Sequence, residues 1–133
     1  MGLFDKFMKK KVELTEEQLK WNKMWELWTE GKIESPFEEM MTYQSEVNNG
    51  GHSQYFSNTK AIQKYISVLY EVLPTKLKSN LENAYDAYMR LEKDESDEEA
   101  EGILEECDTV FYDNEQDIIK CLEAYSEQNI ELE

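Results

Sequence analysis

A chain of 133 residues and 15.8 kDa suffices for one domain and is short for two ordinary ones. Its 30 acids against 14 bases leave a formal charge of −16, which disfavours contact with nucleic-acid phosphates and favours a basic partner. With 40% hydrophobic and 12% aromatic residues it is too apolar for a disordered acidic tail, and five Gly and two Pro offer few turns for a sandwich or barrel, so an all-α fold is expected.

The first eleven residues carry four lysines, Lys6, Lys9, Lys10 and Lys11, against Asp5, with Leu3, Phe4, Phe7 and Met8 on the other side of a short helix. Residues 1–14 are thus a basic amphipathic segment. A terminal helix is the expected form, without stable membrane association, because the strongly acidic remainder opposes approach to anionic lipid. Residues 15–130 are expected to form a single compact domain, bringing the total to six or seven amphipathic helices.

Thr15 and Gln18 have the spacing of a capping box and Gly31 suits a C-terminal stop, so residues 16–30 read as a helix. Its stripe holds Leu14, Trp21, Met24, Trp25 and Trp28, for which core packing is expected over a ligand platform. Ser35, Pro36 and Glu38 start a second helix with Phe37, Met40, Met41 and Val47 on its apolar face and Gln44 among them. Asn48, Asn49, Gly50 and Gly51 then interrupt the periodicity, and a helix-to-helix turn is expected there, with positive φ at Gly50 or Gly51. Gln54 should point inward to the peptide groups of that turn, with Tyr55 and Phe56 in the core.

A further stripe of Ile62, Tyr65, Ile66, Leu69, Val72 and Leu73 follows a cap at Asn58 or Thr59 and stops at Pro74. Leu77, Leu81, Ala84, Tyr88 and Leu91 extend another helix to Glu92 or Lys93. From Glu92 to Asp117 there are 13 acids and one base, Lys93. The start of this stretch reads as a solvated loop, and Ala100, Ile103, Leu104, Cys107, Val110 and Phe111 then keep helical spacing. Asn114 with Asp117 suggests the cap of a last helix whose stripe is Ile118, Cys121, Leu122 and Tyr125.

Ordinary catalytic and metal signatures are missing. His52 is the one histidine, and the sequence has neither a Gly-rich phosphate loop after a strand nor a Gly-x-Ser-x-Gly elbow, so no metal, no cofactor and no enzymatic activity are expected. Cys107 and Cys121 both fall on apolar stripes and are expected to be buried, unbridged and inert, in a reducing cytoplasm.

The run Glu46-Val47-Asn48-Asn49-Gly50-Gly51-His52-Ser53-Gln54-Tyr55-Phe56-Ser57-Asn58 resembles the signature of a bacterial DNA-mimic protein family, otherwise a domain of unknown function. Asn49, Gly50, Gly51, Gln54, Tyr55 and Phe56 carry the resemblance, and Leu104, Asp108, Phe111 and Tyr112 with the segment after Asp117 are similar to the family's C-terminal helices, so it spans roughly residues 15–128. It implies an all-helical fold, no known enzymatic activity, and an acidic surface that occupies the DNA-binding face of a transcription factor. The signature residues themselves read as structural.

The candidate interaction patch is Asp94, Glu95, Asp97, Glu98, Glu99, Glu101, Glu105, Glu106 and Asp108, all within the most acidic stretch. Its expected partner is a basic protein such as a DNA-binding regulator, bound by a monomer or homodimer that does not itself bind nucleic acid. Spacing constrains the idea. Duplex DNA carries one charge per ~1.7 Å of axis, while one i, i+4 row of acids on a helix offers one per ~6 Å, so about three or four rows are required. The other readings are an immunity-type or regulatory module for a basic toxin or enzyme, and an acidic helical domain whose charge serves only solubility.

Overall fold

The computed structural model describes residues 14–132, so the basic amphipathic segment, apart from Leu14, lies outside the described residues. Within them the regular structure is helical throughout: α1 (Glu16–Thr29), α2 (Phe37–Asn58), α3 (Ile62–Val72), α4 (Thr75–Lys93) and α5 (Glu98–Asn129). These are five helices where the sequence led to six or seven. The main reason is that the acidic helix and the last helix are one: Asn114 does not cap a new helix but donates from Nδ2 to the Val110 carbonyl four residues back, at 2.8 Å. No helix among the described residues is long and apolar enough to cross a membrane.

The chain divides into two compact units. The smaller comprises residues up to Ile33 together with Leu122–Glu133, and the larger is Glu34–Cys121. In the smaller unit α1 begins at the expected capping box: Gln18 N–H donates to Thr15 Oγ1 at 3.1 Å and Thr15 N–H to Gln18 Oε1 at 2.9 Å. It ends in a Schellman motif, with Lys32 N–H reaching the Leu27 carbonyl and Gly31 N–H the Trp28 carbonyl, and Gly31 at φ +72°. Met24 is buried. Trp21, Trp25 and Trp28 are half-buried and stack edge to face at 6.1 and 5.2 Å, while Leu14 is exposed rather than part of the core. Lys20 Nζ donates to the Glu127 carbonyl at 3.1 Å, joining α1 to the last turns of α5.

The larger unit packs α2, α3, α4 and the first part of α5 around Met40, Met41, Tyr43, Val47, Tyr55, Leu69, Leu77, Leu81, Ala84 and Phe111. Here α2 is longer than expected and kinked in its middle. The Asn-Asn-Gly-Gly run interrupts the helical backbone, as expected, and joins two helical limbs across a kink, with Gly50 at φ −158°, ψ 21° and Gly51 at φ +77°, ψ −178°. Consequently Asn58 is the last residue of α2 and Thr59 its C-cap, so neither caps α3, which starts from a left-handed Ala61. Ser35 leaves the start of α2 uncapped and donates instead to the buried Glu39 at 3.0 Å. Buried Asn80 of α4 donates to the Cys107 carbonyl at 2.8 Å, which gives its amide a partner while fixing α4 against α5.

The N-terminus of α5 is held by Asp97. Its Oδ1 accepts the Ala100 N–H at 3.0 Å, and its two oxygens take the Arg90 guanidinium in a fork, at 3.0 Å each. The backbone bond first, and Arg90 second, hold this carboxyl below its ordinary range. Arg90 reaches Glu99 as well, at 2.8 Å.

Candidate functional site

The kink of α2 is where the two runs that carry the family resemblance come together. The buried ring of His52 lies between Tyr43, one limb back along α2, and Asp108 of α5. Asp108 Oδ1 accepts the His52 backbone N–H at 2.9 Å and its ring Nδ1–H at 2.7 Å. The remaining ring nitrogen, Nε2, is 2.6 Å from Tyr43 Oη. Burial above all keeps the Tyr43 phenol protonated well beyond its ordinary range, so its hydroxyl donates and Nε2 accepts. With Asp108 accepting at Nδ1 and the Tyr43 hydroxyl donating to Nε2, the tautomer that suits this pairing is Nδ1–H.

Aromatic packing completes the junction. Phe111 meets Tyr43 and His52 edge to face at 5.3 and 6.1 Å, and Tyr43 meets Tyr55 at 4.9 Å. Tyr112 Oη donates to the Val47 carbonyl at 3.0 Å just before the kink. Glu115 accepts from Gln44 Nε2 at 2.7 Å and from Asn48 Nδ2. Across the bend, Glu46 Oε1 takes Gln54 Nε2 at 2.9 Å and Asn58 Nδ2 at 3.3 Å. Gln54 is therefore half-buried and bonded to a carboxylate, where backbone groups of a turn were expected. Tyr55 and Phe56 are in the core, and Gly51 has the anticipated positive φ.

The spacing of the Tyr43 hydroxyl, the His52 imidazole and the Asp108 carboxylate is that of a nucleophile–base–orienter relay. Yet both Tyr43 and His52 are 0% exposed, so the hydroxyl is closed to any substrate and the relay works as a fastening between α2 and α5. No group of three or more His, Cys, Asp or Glu able to hold a metal occurs among the described residues.

Asp108 keeps 29% of its side chain exposed and opens onto a groove of about 480 Å³. Gly50 and Ser53 of α2, Tyr88 and Leu91 of α4, and Leu104 of α5 form its walls, and its carboxylates are Glu92, Glu95, Glu101, Glu105 and Asp108. The acids singled out from the sequence hence have different surroundings. Asp97 caps α5, Glu99 and Asp97 share Arg90, and Asp108 is bonded to His52. Asp94 accepts from Ser96. Glu95, Glu98, Glu101, Glu105 and Glu106 are exposed and form no ion pair among the described residues.

Sequence reading passed over Tyr43 and noted His52 only as the one histidine, too few for an ordinary metal site. A signal was present: His52 and Asp108 stand inside the two resembling runs. The cysteines are both unbridged, as expected, but Cys121 is exposed because it sits at the edge of its stripe, whereas Cys107 is buried and burial pushes its thiol up to about 11. A thiol reagent should therefore modify about one cysteine per native chain, at Cys121, and two after unfolding; equal rates at both sites in the native state would contradict the placement.

A family model for DMP19-like proteins matches residues 39–129, which is 91 of the 133 residues. The chain belongs to the DMP19-like family. The matched span contains the kink, His52, Asp108 and the groove, and begins at Glu39 instead of near residue 15, so α1 falls outside what the DMP19-like match covers. No curated protein and no solved structure matches the chain.

Proposed function

We propose that this chain is a non-enzymatic, cytoplasmic interaction protein of the DNA-mimic type, which presents carboxylates of α5 and of the α4–α5 loop to the DNA-binding face of a basic regulator. One observation carries the reading. Between Glu98 and Asp117, α5 bears nine acids and no base along about 28 Å of helix, one per ~3 Å, comparable to the 3.4 Å axial spacing of charge along a single DNA strand. Glu98, Glu101, Glu105, Glu106, Asp113 and Asp117 among them are exposed. They occupy more than one row of the helix surface, and Glu92 and Glu95 add a neighbouring row across the groove. Family membership and the absence of opposing bases in this stretch support the same reading.

The test is competition with DNA for a regulator recovered by affinity purification from the source cell. Reversal of Glu98, Glu101, Glu105 and Glu106 to lysine spares the Asp97 cap and the Arg90 pairs. It should slow association by about tenfold or more, and wild-type association should weaken as salt rises. Competition that is equal for both proteins and independent of salt would reduce the acidic face to a solvated surface. Recovery of a basic toxin or enzyme as the sole partner would favour the immunity-type reading.

A further inference from the structure

Glu38 and Glu39 stand side by side in the first turn of α2, and neither forms an ion pair among the described residues. Hydroxyl groups hold both carboxylates in place. Thr42 Oγ1 donates to Glu38 Oε2 at 2.8 Å, Tyr65 Oη of α3 donates to the same carboxylate and lies 2.8 and 3.0 Å from its two oxygens, and Ser35 Oγ donates to Glu39 Oε2 at 3.0 Å. The other oxygen of Glu39, Oε1, has no hydrogen-bond partner among the described residues, although the residue is only 8% exposed. A second buried oxygen shares its situation: Tyr55 is 0% exposed, and its Oη has no partner either. The Tyr55 ring packs on Tyr43 at 4.9 Å, and Tyr43 lies one helical turn beyond Glu39 on the same face of α2. Burial first, and then the charges of Tyr65, Glu38 and Glu39, hold the Tyr55 phenol protonated above its ordinary range, so its hydroxyl faces the two carboxylates.

We propose that Glu38, Glu39 and Tyr55 bind one calcium ion, with Glu39 Oε1, the Glu38 carboxylate and Tyr55 Oη as its protein ligands. An anionic oxygen buried without a partner is costly, and a cation offsets that cost. The donors are all oxygens, with no imidazole or thiolate among them, which selects a hard ion, and two carboxylates balance a divalent charge. Glu39 Oε1 and Tyr55 Oη are buried, so the ion sheds water on that side and accepts an irregular set of ligands. Calcium does both more readily than magnesium, which holds its waters and demands a near-ideal octahedron. Ser35, Thr42 and Tyr65 orient the carboxylates from the outer shell. Because Glu38 and Glu39 precede the kink and Tyr55 follows it, the ion ties the two limbs of α2 together. No residue of α5 takes part, so the site is separate from the acidic face proposed to meet a basic regulator.

Calorimetric titration of the full chain with calcium chloride, in a potassium chloride buffer of physiological strength, tests the site. With only two carboxylates the expected Kd is weak, on the order of 10⁻⁴–10⁻³ M for one ion, and magnesium should bind about tenfold or more weakly. Glu39→Gln should weaken calcium binding by about tenfold. Tyr55→Phe keeps the ring and removes only an oxygen without a partner, so in the absence of calcium it should melt no lower than the wild type, and it should bind calcium about fivefold more weakly. The paired change Glu101→Gln and Glu105→Gln, in the groove beside α5, should leave the Kd within about twofold. An unchanged Kd in either Glu39→Gln or Tyr55→Phe, loss of binding in the groove variant, equal affinity for magnesium, or no saturable binding up to about 10 mM calcium would each overturn the site.

Discussion

Gly51→Val is expected to lower stability by about 3 kcal/mol or more, which for a chain of this length is a fall of roughly 10 °C in Tm. Two effects add. At φ +77°, ψ −178°, Gly51 occupies a region essentially closed to residues with a Cβ. In addition, a Cβ built there would lie 2.5 Å from Asp108 Oδ2, so the carboxylate must move and release His52. Gly31 is the control: it too has positive φ, at +72°, but nothing lies within 4 Å of its Cβ position. Gly31→Ala should therefore show the backbone effect alone, about 1 kcal/mol. Thermal melts followed by circular dichroism decide between them, and equal losses at the two sites would mean that the contact with Asp108 is not felt.

What the sequence disclosed is what is local. The capping box at Thr15 and Gln18 and the stop at Gly31 involve residues a few positions apart, and both bond patterns are present as anticipated. The stripe Leu77, Leu81 and Ala84 likewise needed only a period of 3.6, and all three are buried. Ambiguity began where one residue type serves two purposes. Asn114 has the chemistry of a cap, and the same amide satisfies a carbonyl of its own helix, so the type of residue could not show whether the helix stops. Glycines at positions 50 and 51 announce a break, yet whether the chain reverses or merely bends depends on what holds the two limbs. The bond between Glu46 and Gln54 spans eight residues, a separation that puts no pair in contact on a straight helix, and exists only because of the bend. Farther apart still, His52 and Asp108 stand 56 residues from one another, and their pairing is a tertiary fact. The family resemblance named residues of both runs without saying that they touch; the kink explains why Gly51 and Asp108 belong to one constellation.

The same geometry makes the coupling between those two positions measurable. Asp108→Ala removes the acceptor of two N–H groups on a fully buried residue, and leaving such donors unsatisfied costs about 1–3 kcal/mol each, so a loss of about 2–4 kcal/mol is expected. Asp108→Asn retains an acceptor oxygen at the same place and should lose less than half as much. Removal of the carboxylate also clears the space that a Cβ on Gly51 would enter. Gly51→Ala should hence be milder in the Asp108→Ala background than in the wild type, since only the backbone strain is left. The double mutant should be more stable than the sum of the two single losses predicts, by about 1 kcal/mol or more. Chemical denaturation of the four proteins closes this cycle. Losses that add within about 0.5 kcal/mol would show that Gly51 and Asp108 act independently, and that the kink is set by the glycine backbone alone.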